Sequence, residues 1–444
     1  MRMERRRETA ACKLVQHDEA WEALRSRLPE NLDELARQNG ALRRRRKVST
    51  GEQLLRLILV YVTCWLSLRT TAAWAQRALG LALTDSALSY RFDCAVRFLR
   101  ELVQRQLPSP QGDPGTGPAA ARVRIVDATG LNEPGTRSTN WCLHTTYSPL
   151  EGPVGFELTD EHEGEHLGRA VAQAGDLVIV DMGYGHARDV RLARERDEHC
   201  LVRVHPMNLA MTDDAGHKLE VKSLLKQAEG GVVDQRARLV ERGHPPVEVR
   251  LVITRLPKEK VARARQRLRR AASKKGRRTP RALAVQVCGY FFCVTTVSAE
   301  HVSAAQLLSW YRVRWQVELW FKRCKSLLGL DRLAKACVPL VHIQIWGRLL
   351  VALLAHRLHP PPPSPPPAPD ACPSKPPQSE WRRTTVGWLD IVLAVYGGVP
   401  PKLDETQALE RLRERPRRRC TVGAALATAI EQVLNLAEHA QAVS

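Results

Sequence analysis

The sequence predicts an α/β protein. A sheet-bearing core takes an inserted, mainly β subdomain, with a helical N-terminal domain before it and C-terminal helices after it. Three observations carry this. Residues 17–107 read as helical, with start and stop signals from Ser67 onward. Two short apolar runs, Val123–Val126 and Leu177–Val180, each end in an aspartate, Asp127 and Asp181. After the second, Gly183 and Gly185 break the strand, His186–Arg196 has helical spacing, and Leu201–Val204 is again strand-like; strand, helix and strand in this order mark an α/β core.

Each element follows from local signals. The basic run Arg43–Lys47 precedes Glu52–Leu66, which is apolar nearly all round and so predicts a buried helix. Ser67 is placed to cap a helix reaching Leu79, Gly80 to end it, and Thr84 or Asp85 to cap the next, through about Leu107. Helix, glycine turn and helix fit either a DNA-reading helix-turn-helix or a plain three-helix bundle. We take 1–107 as a DNA-binding domain because of the charge around it. Residues 108–120 read as a linker. Residues 121–204 form the first part of the core, with further strands at 141–147 and 154–159 around the turn SPLEGP. In 205–300, strands Val247–Thr254 and Ala284–Val297 flank a basic segment, Lys258–Arg281, which is either a solvated helix or loop or a phosphate-contacting arm. Residues 301–358 return to the core with a long helix, Ser303–Leu330, and a second, Val341–Leu358. The proline-dense stretch 359–378 is an extended linker, and 379–444 closes with helices and the basic run Arg411–Arg419.

Composition limits the function. The 444 residues carry a formal net charge of +21, which suits a polyanionic partner, although charge alone does not separate DNA from RNA or an anionic membrane. Eleven cysteines without a CxxC pair point to free thiols in a reducing compartment and to no zinc site. The N-terminal charges lead into no apolar core, so no signal peptide is expected. The apolar run Leu57–Leu66 is too short to span a bilayer. A soluble, cytoplasmic protein with no membrane partner is the expectation.

The chemistry-bearing residues are acids. In α/β sheets ligands bind at the carboxyl ends of strands, where Asp127 and Asp181 stand. Carboxylates suit Mg²⁺ or Mn²⁺, and a third would complete a two-metal site; an aspartate also often ends a strand merely by capping a turn. The third candidate lies in the helix around Trp310–Leu330. At about 100° per residue with Tyr311 at zero, Arg314 falls near −60°, Glu318 near −20° and Lys325 near −40°. Val313, Trp320, Cys324 and Leu327 face the other way and Val317, Phe321 and Leu328 lie on one flank, so the apolar side packs while Tyr, Arg, Glu and Lys point together. An acid flanked by Arg and Lys can bind a metal while its neighbours hold phosphates. His144, His162, His166 and His186 surround the proposed site with no zinc-like spacing, and Ser148 sits in no nucleophile elbow. Asp160, Glu161 and Glu163 read as a solvated turn with room for one accessory ligand, and Asp331 as a cap.

The spacing Y-x2-R-x3-E-x6-K of Tyr311, Arg314, Glu318 and Lys325 resembles the signature of the DDE transposases of the insertion sequence four family. Asp127 in IVDATGLNEPG and Asp181 in GDLVIVDMGYG resemble that family's first and second aspartate segments. Glu163–Glu165 and Thr254–Lys260 with the basic segment after it are also similar, so the likeness covers roughly residues 50–355. It implies an RNase H-like catalytic core with a β insertion before the catalytic helix. It implies that Asp127, Asp181 and Glu318 hold two Mg²⁺ (or Mn²⁺) ions for cleavage at transposon ends and strand transfer into target DNA, without a covalent enzyme–DNA link. Tyr311, Arg314 and Lys325 would bind DNA phosphates. Trp315 either stacks on an unpaired end base or packs at the helix edge. The implied partners are the terminal inverted repeats, target DNA, and a second copy of the chain in the synaptic complex. Met182 departs from the family, which often has Arg there, and the Pro-rich insert is unusual. A nuclease that does not join ends, and a DNA-binding derivative without catalysis, are the rival readings.

Overall fold

The computed structural model describes residues 20–43, 47–108, 123–136, 139–149, 151–160, 162–274, 276, 279–300, 302–334, 337–358, 388 and 390–397. Most of the expected linker 108–120, the Pro-rich stretch 359–378, and nearly all of 379–444 with its basic run lie outside the described residues.

The N-terminal part is helical: α1 (Leu32–Gln38), α2 (Gly51–Thr63), α3 (Leu68–Leu79) and α4 (Asp85–Arg105). Hydroxyls start three of them. Thr50 accepts from the Gln53 amide, Ser67 from Thr70 and Thr84 from Ala87, each satisfying an amide that the first turn leaves unpaired. Gly80 ends α3 at φ 67°, a left-handed conformation that a Cβ would strain. As its all-round apolar character predicts, α2 is buried along most of its length.

One nine-stranded mixed sheet organises the rest, in the order β3-β2-β1-β4-β5-β9-β8-β7-β6. Strands β1 (Val123–Leu131), β2 (Trp141–Ser148) and β3 (Gly152–Asp160) form an antiparallel meander. Strands β4 (Leu177–Val180) and β5 (His199–Arg203) run parallel to β1, and α5 (Ala187–Glu195) joins them. Beyond β5 the direction reverses. Strand β9 (Tyr290–Thr295) pairs antiparallel with β5, and β8 (Val247–Arg255), β7 (Val233–Val240) and β6 (Ala210–Thr212) continue outward. The mainly β segment therefore extends the same sheet. It also carries α6 (Val221–Glu229), the basic helix α7 (Lys258–Lys274), exposed along most of its length, and α8 (Ala282–Val287).

Two expectations need correction. The strand expected over Ala284–Val297 is α8, a turn and then β9; ALAVQV is apolar and β-branched enough to read as strand, and only its i→i−4 bonds make it a helical turn. The helix expected over Ser303–Leu330 is two helices, α9 (Ala304–Arg312) and α10 (Trp315–Leu327). Between them the bonding tightens to i→i−3: Arg314 donates to the Tyr311 carbonyl (3.2 Å) and Val317 to that of Arg314 (3.3 Å).

Helix α11 (Val338–Leu358) packs against α2, α4 and α10. It is long and apolar enough to cross a membrane, yet 83% of that window is buried inside the fold, so it serves as a core helix. One apolar cluster runs from Leu54 and Phe98 through Trp346 and Leu350 to Trp320 and on to Ile125 and Leu143 of the sheet. A second covers the other face, where α5 and α6 meet Val178, Val202 and Leu251. Their effect is to fix α10 on the sheet beside β1.

Candidate active site

Asp127 and Asp181 reach one edge by register. Val126 lies beside Val180 in the parallel β1–β4 pair, so the next residue of each strand emerges at the same level. β4 ends there, and Asp181 opens a single 3₁₀ turn, Met182–Tyr184. β1 runs on to Leu131, so Asp127 lies inside the strand, opposite Thr145, where the sequence placed it at a strand end.

Packing brings the third acid. Val317, Trp320, Phe321 and Cys324 are buried, and the Trp320 ring lies 6.5 Å from those of Tyr147 and Phe156 on the sheet. The opposite side of α9–α10 then faces the two aspartates. Arg314 Nη1 donates to Asp127 Oδ2 (2.8 Å), its other terminal nitrogen lies 3.7 Å from Asp181 Oδ2, and it also bonds Glu318. Tyr311 Oη donates to Asp181 Oδ1 (3.1 Å). Lys325 sits farther along the helix, where Nζ donates to the Gly130 carbonyl (3.1 Å). Trp315 and Met182 are exposed. The structure thus gathers Asp127, Asp181, Glu318, Tyr311 and Arg314 around one guanidinium and leaves Lys325 and Trp315 at the rim.

The charges are strongly coupled. Burial pushes the Asp127 carboxyl up to about 6; Arg314 pulls it down, while Asp181 and Glu318 push it further up. Burial works against the Arg314 charge, but Tyr311, Asp181, Asp127 and Glu318 outweigh it and hold that group above its ordinary range. Burial, then the charge of Asp181, raises the Tyr311 phenol, so it remains a donor. A carboxyl whose folded value lies above its ordinary 3.8 favours the folded state at low pH and loses that contribution as pH rises through about 6. Ionised Asp127 therefore costs ~3 kcal/mol at neutral pH. We expect Asp127→Asn to raise Tm in EDTA at pH 7.5 by several degrees and hardly at all at pH 4; scanning calorimetry giving the same difference at both pH values would reject this.

Among the described residues no three His, Cys, Asp or Glu side chains are closed up as a ready ligand set; Arg314 stands between the acids and bridges them. The donors nonetheless fit a hard divalent cation: carboxylate oxygens converge, and three acids outnumber the two guanidiniums, Arg314 and Arg203, that meet them. The histidines offer no alternative. His144 is buried with Nε2 3.0 Å from the Thr159 hydroxyl; burial, with Arg169 and His166, pulls it down to about 4. His162 and His186 are exposed. Ser148 accepts from the Glu151 amide in the β2–β3 turn (3.3 Å). Glu163 pairs with Arg169, Asp160 and Asp331 are exposed, and Glu161 lies outside the described residues.

Two residues at the site were given no role by the sequence reading. Arg203 Nη1 lies 3.6 Å from Asp181, with its guanidinium 5.7 Å from the Phe291 ring, which in turn meets Tyr311 edge-on at 4.8 Å. Its position at the carboxyl end of β5, level with the two strand-end acids, was the available signal. Glu165 lies in the loop before β4, and its only sequence marker was the family-like stretch Glu163–Glu165. Burial and then the charges of Asp127 and Asp181 raise its carboxyl, which places it in the same field.

Residues 118–354 match the family model described as transposase DDE domain. The chain is 33% identical over 347 residues to the putative transposase InsL of insertion sequence element IS186A of Escherichia coli K12, an alignment covering 76% of this chain and 93% of the relative. It is also 33% identical over 348 residues to the transposase of insertion sequence element IS421 of Escherichia coli, with the same coverage. With the transposase of element IS231C of Bacillus thuringiensis subsp. berliner it shares 23% over 383 residues, 75% of this chain and 78% of the relative.

Proposed function

The chain belongs to the DDE transposases of the insertion sequence four family, enzymes that act on DNA, and from that premise we propose that it cuts transposon ends and joins them to target DNA at Asp127, Asp181 and Glu318. One observation carries the assignment of the site: carboxylates 54 and 137 residues apart in sequence share a single guanidinium, that of Arg314.

The family acts with divalent metal ions, and we assign two Mg²⁺ or Mn²⁺ ions to these three acids. Bound there, they supply Lewis acidity to the attacking and the leaving oxygen of an in-line displacement at phosphorus. Cleavage attaches a water oxygen to phosphorus and releases the 3′ oxygen as a hydroxyl. Joining attaches that hydroxyl oxygen to a target phosphorus and releases a second 3′ hydroxyl, so each step exchanges one P–O bond for another. Arg314, relieved of neutralising three acids, turns to a phosphate, where its fork suits two oxygens. Tyr311 holds Asp181 through its hydroxyl. Lys325 exchanges the Gly130 carbonyl for phosphate, and exposed Trp315 offers a face for an end base.

The strand order β3-β2-β1-β4-β5, antiparallel through β1 and parallel after it, supports reading 121–204 and 301–358 as halves of an RNase H-like core, with 205–300 inserted. The helices of 1–107 are assigned to DNA binding, and two chains to one pair of ends. Incubating the full chain with Mg²⁺ and the inverted repeats flanking its own gene tests the function: joined products are expected, and cut but unjoined ends would instead fit a nuclease. For Lys325→Ala, the slope of log affinity for end DNA against log salt should fall by about 0.9; an unchanged slope in filter binding removes the phosphate contact from Lys325.

A further inference from the structure

We infer that Glu165 is a fourth carboxylate ligand of the metal centre, an inference that rests on the assignment of Asp127, Asp181 and Glu318 as metal ligands. The sequence pattern offers three acids; the fold adds this one through a glycine. Gly183 stands two residues after Asp181, and a Cβ added to it would land on the Glu165 carboxyl group. The absence of a side chain at 183 is thus what lets a loop carboxylate lie across the 3₁₀ turn that Asp181 opens.

The partners of the neighbouring acids sharpen the point. Glu157 and Glu163 are both paired with Arg169. Asp127, Asp181 and Glu318 share Arg314, and Asp181 also meets Tyr311 and Arg203. Glu165 alone of these acids has neither a hydrogen bond nor an ion pair among the described residues, although it is half-buried. A carboxylate drawn out of water without a partner is costly, and the cost falls when a cation arrives. Charge points the same way. Four carboxylates face the two guanidiniums of Arg314 and Arg203, since the Lys325 ammonium is turned to a carbonyl. The acids outnumber the guanidiniums, and the excess negative charge is what divalent ions would meet. Glu165 therefore joins Asp127 and Asp181 from the loop before β4.

Mn²⁺ binding to the full, DNA-free chain, followed by the loss of the free-ion electron paramagnetic resonance signal, tests this without any turnover. Glu165→Gln should weaken Mn²⁺ binding by ~10–100-fold, while Glu163→Gln, at the acid already held by Arg169, should leave it unchanged. Gly183→Ala supplies a second variant that alters no acid. Its methyl group displaces only the end of a flexible side chain, so the fold survives, and Mn²⁺ binding should weaken in the same direction. Asp181→Asn is measured alongside. If it loses Mn²⁺ while Glu165→Gln and Gly183→Ala bind as the unaltered chain does, Glu165 is no ligand and the inference is overturned. If Asp181→Asn also binds normally, the three-acid assignment fails, and Glu165 with it.

Discussion

Replacing Asp181 by Asn should reduce both cleavage and joining by ~10³-fold or more, because the metal-borne stabilisation of the reacting oxygens is worth several kcal/mol. Affinity for end DNA should hold or rise slightly, since the change removes one negative charge from a surface that meets phosphates. Glu318→Gln and Asp127→Asn should behave alike. The two readouts separate chemistry from folding: a misfolded chain loses both, whereas a ligand variant loses only the first. Asp181 is the cleanest choice of the three. Its hydrogen-bond partner Tyr311 can donate to an amide oxygen as it donates to a carboxylate, so the site keeps its shape. Metal-dependent cleavage persisting in Asp181→Asn would remove this residue from the catalytic set.

Arg314→Ala should lower the stability of the metal-free chain by about 3–5 kcal/mol, the usual result of leaving a buried ionic group without its counter-charge. For a chain of this size that is a fall in Tm of ~3–5 °C. The guanidinium is largely buried and is the one group bonded to all three acids, so its loss leaves them facing each other. Mg²⁺ or Mn²⁺ should recover most of the deficit, because a divalent ion restores the missing positive charge at the same place and binding to the folded state adds stability by mass action. Melting curves in EDTA and in excess Mg²⁺ decide it. An equal deficit in both would mean that Arg314 acts through packing and not as counter-charge to the acids.

Much of this was legible in the sequence, for reasons that are local. The caps at Ser67, Thr84 and Gly80 depend on side chains within three residues of the helix end. The strand-end aspartates and the Tyr311–Lys325 spacing are likewise properties of single elements. What escaped is non-local or finely balanced. The run Ala282–Val287 satisfies helix and strand patterns alike, and which state wins depends on neighbours distant in the chain. A change from i→i−4 to i→i−3 bonding at Val313–Val317 leaves no trace in composition, yet Tyr311 and Arg314 still meet the aspartates. Arg203 enters the site by strand pairing, and Glu165 by the missing side chain of Gly183. Neither relation can be read from residues next to each other.

The pairing of β5 with β9 also bears on which parts of the chain are dispensable. Were the segment from β6 to β8 trimmed away, β9 would become an outer strand. Phe292, Cys293 and Val294, now covered, would line a naked row of amides and carbonyls open to any passing strand. A shortened version of this protein would need a lysine, a proline or a covering loop along that rim to stay monodisperse.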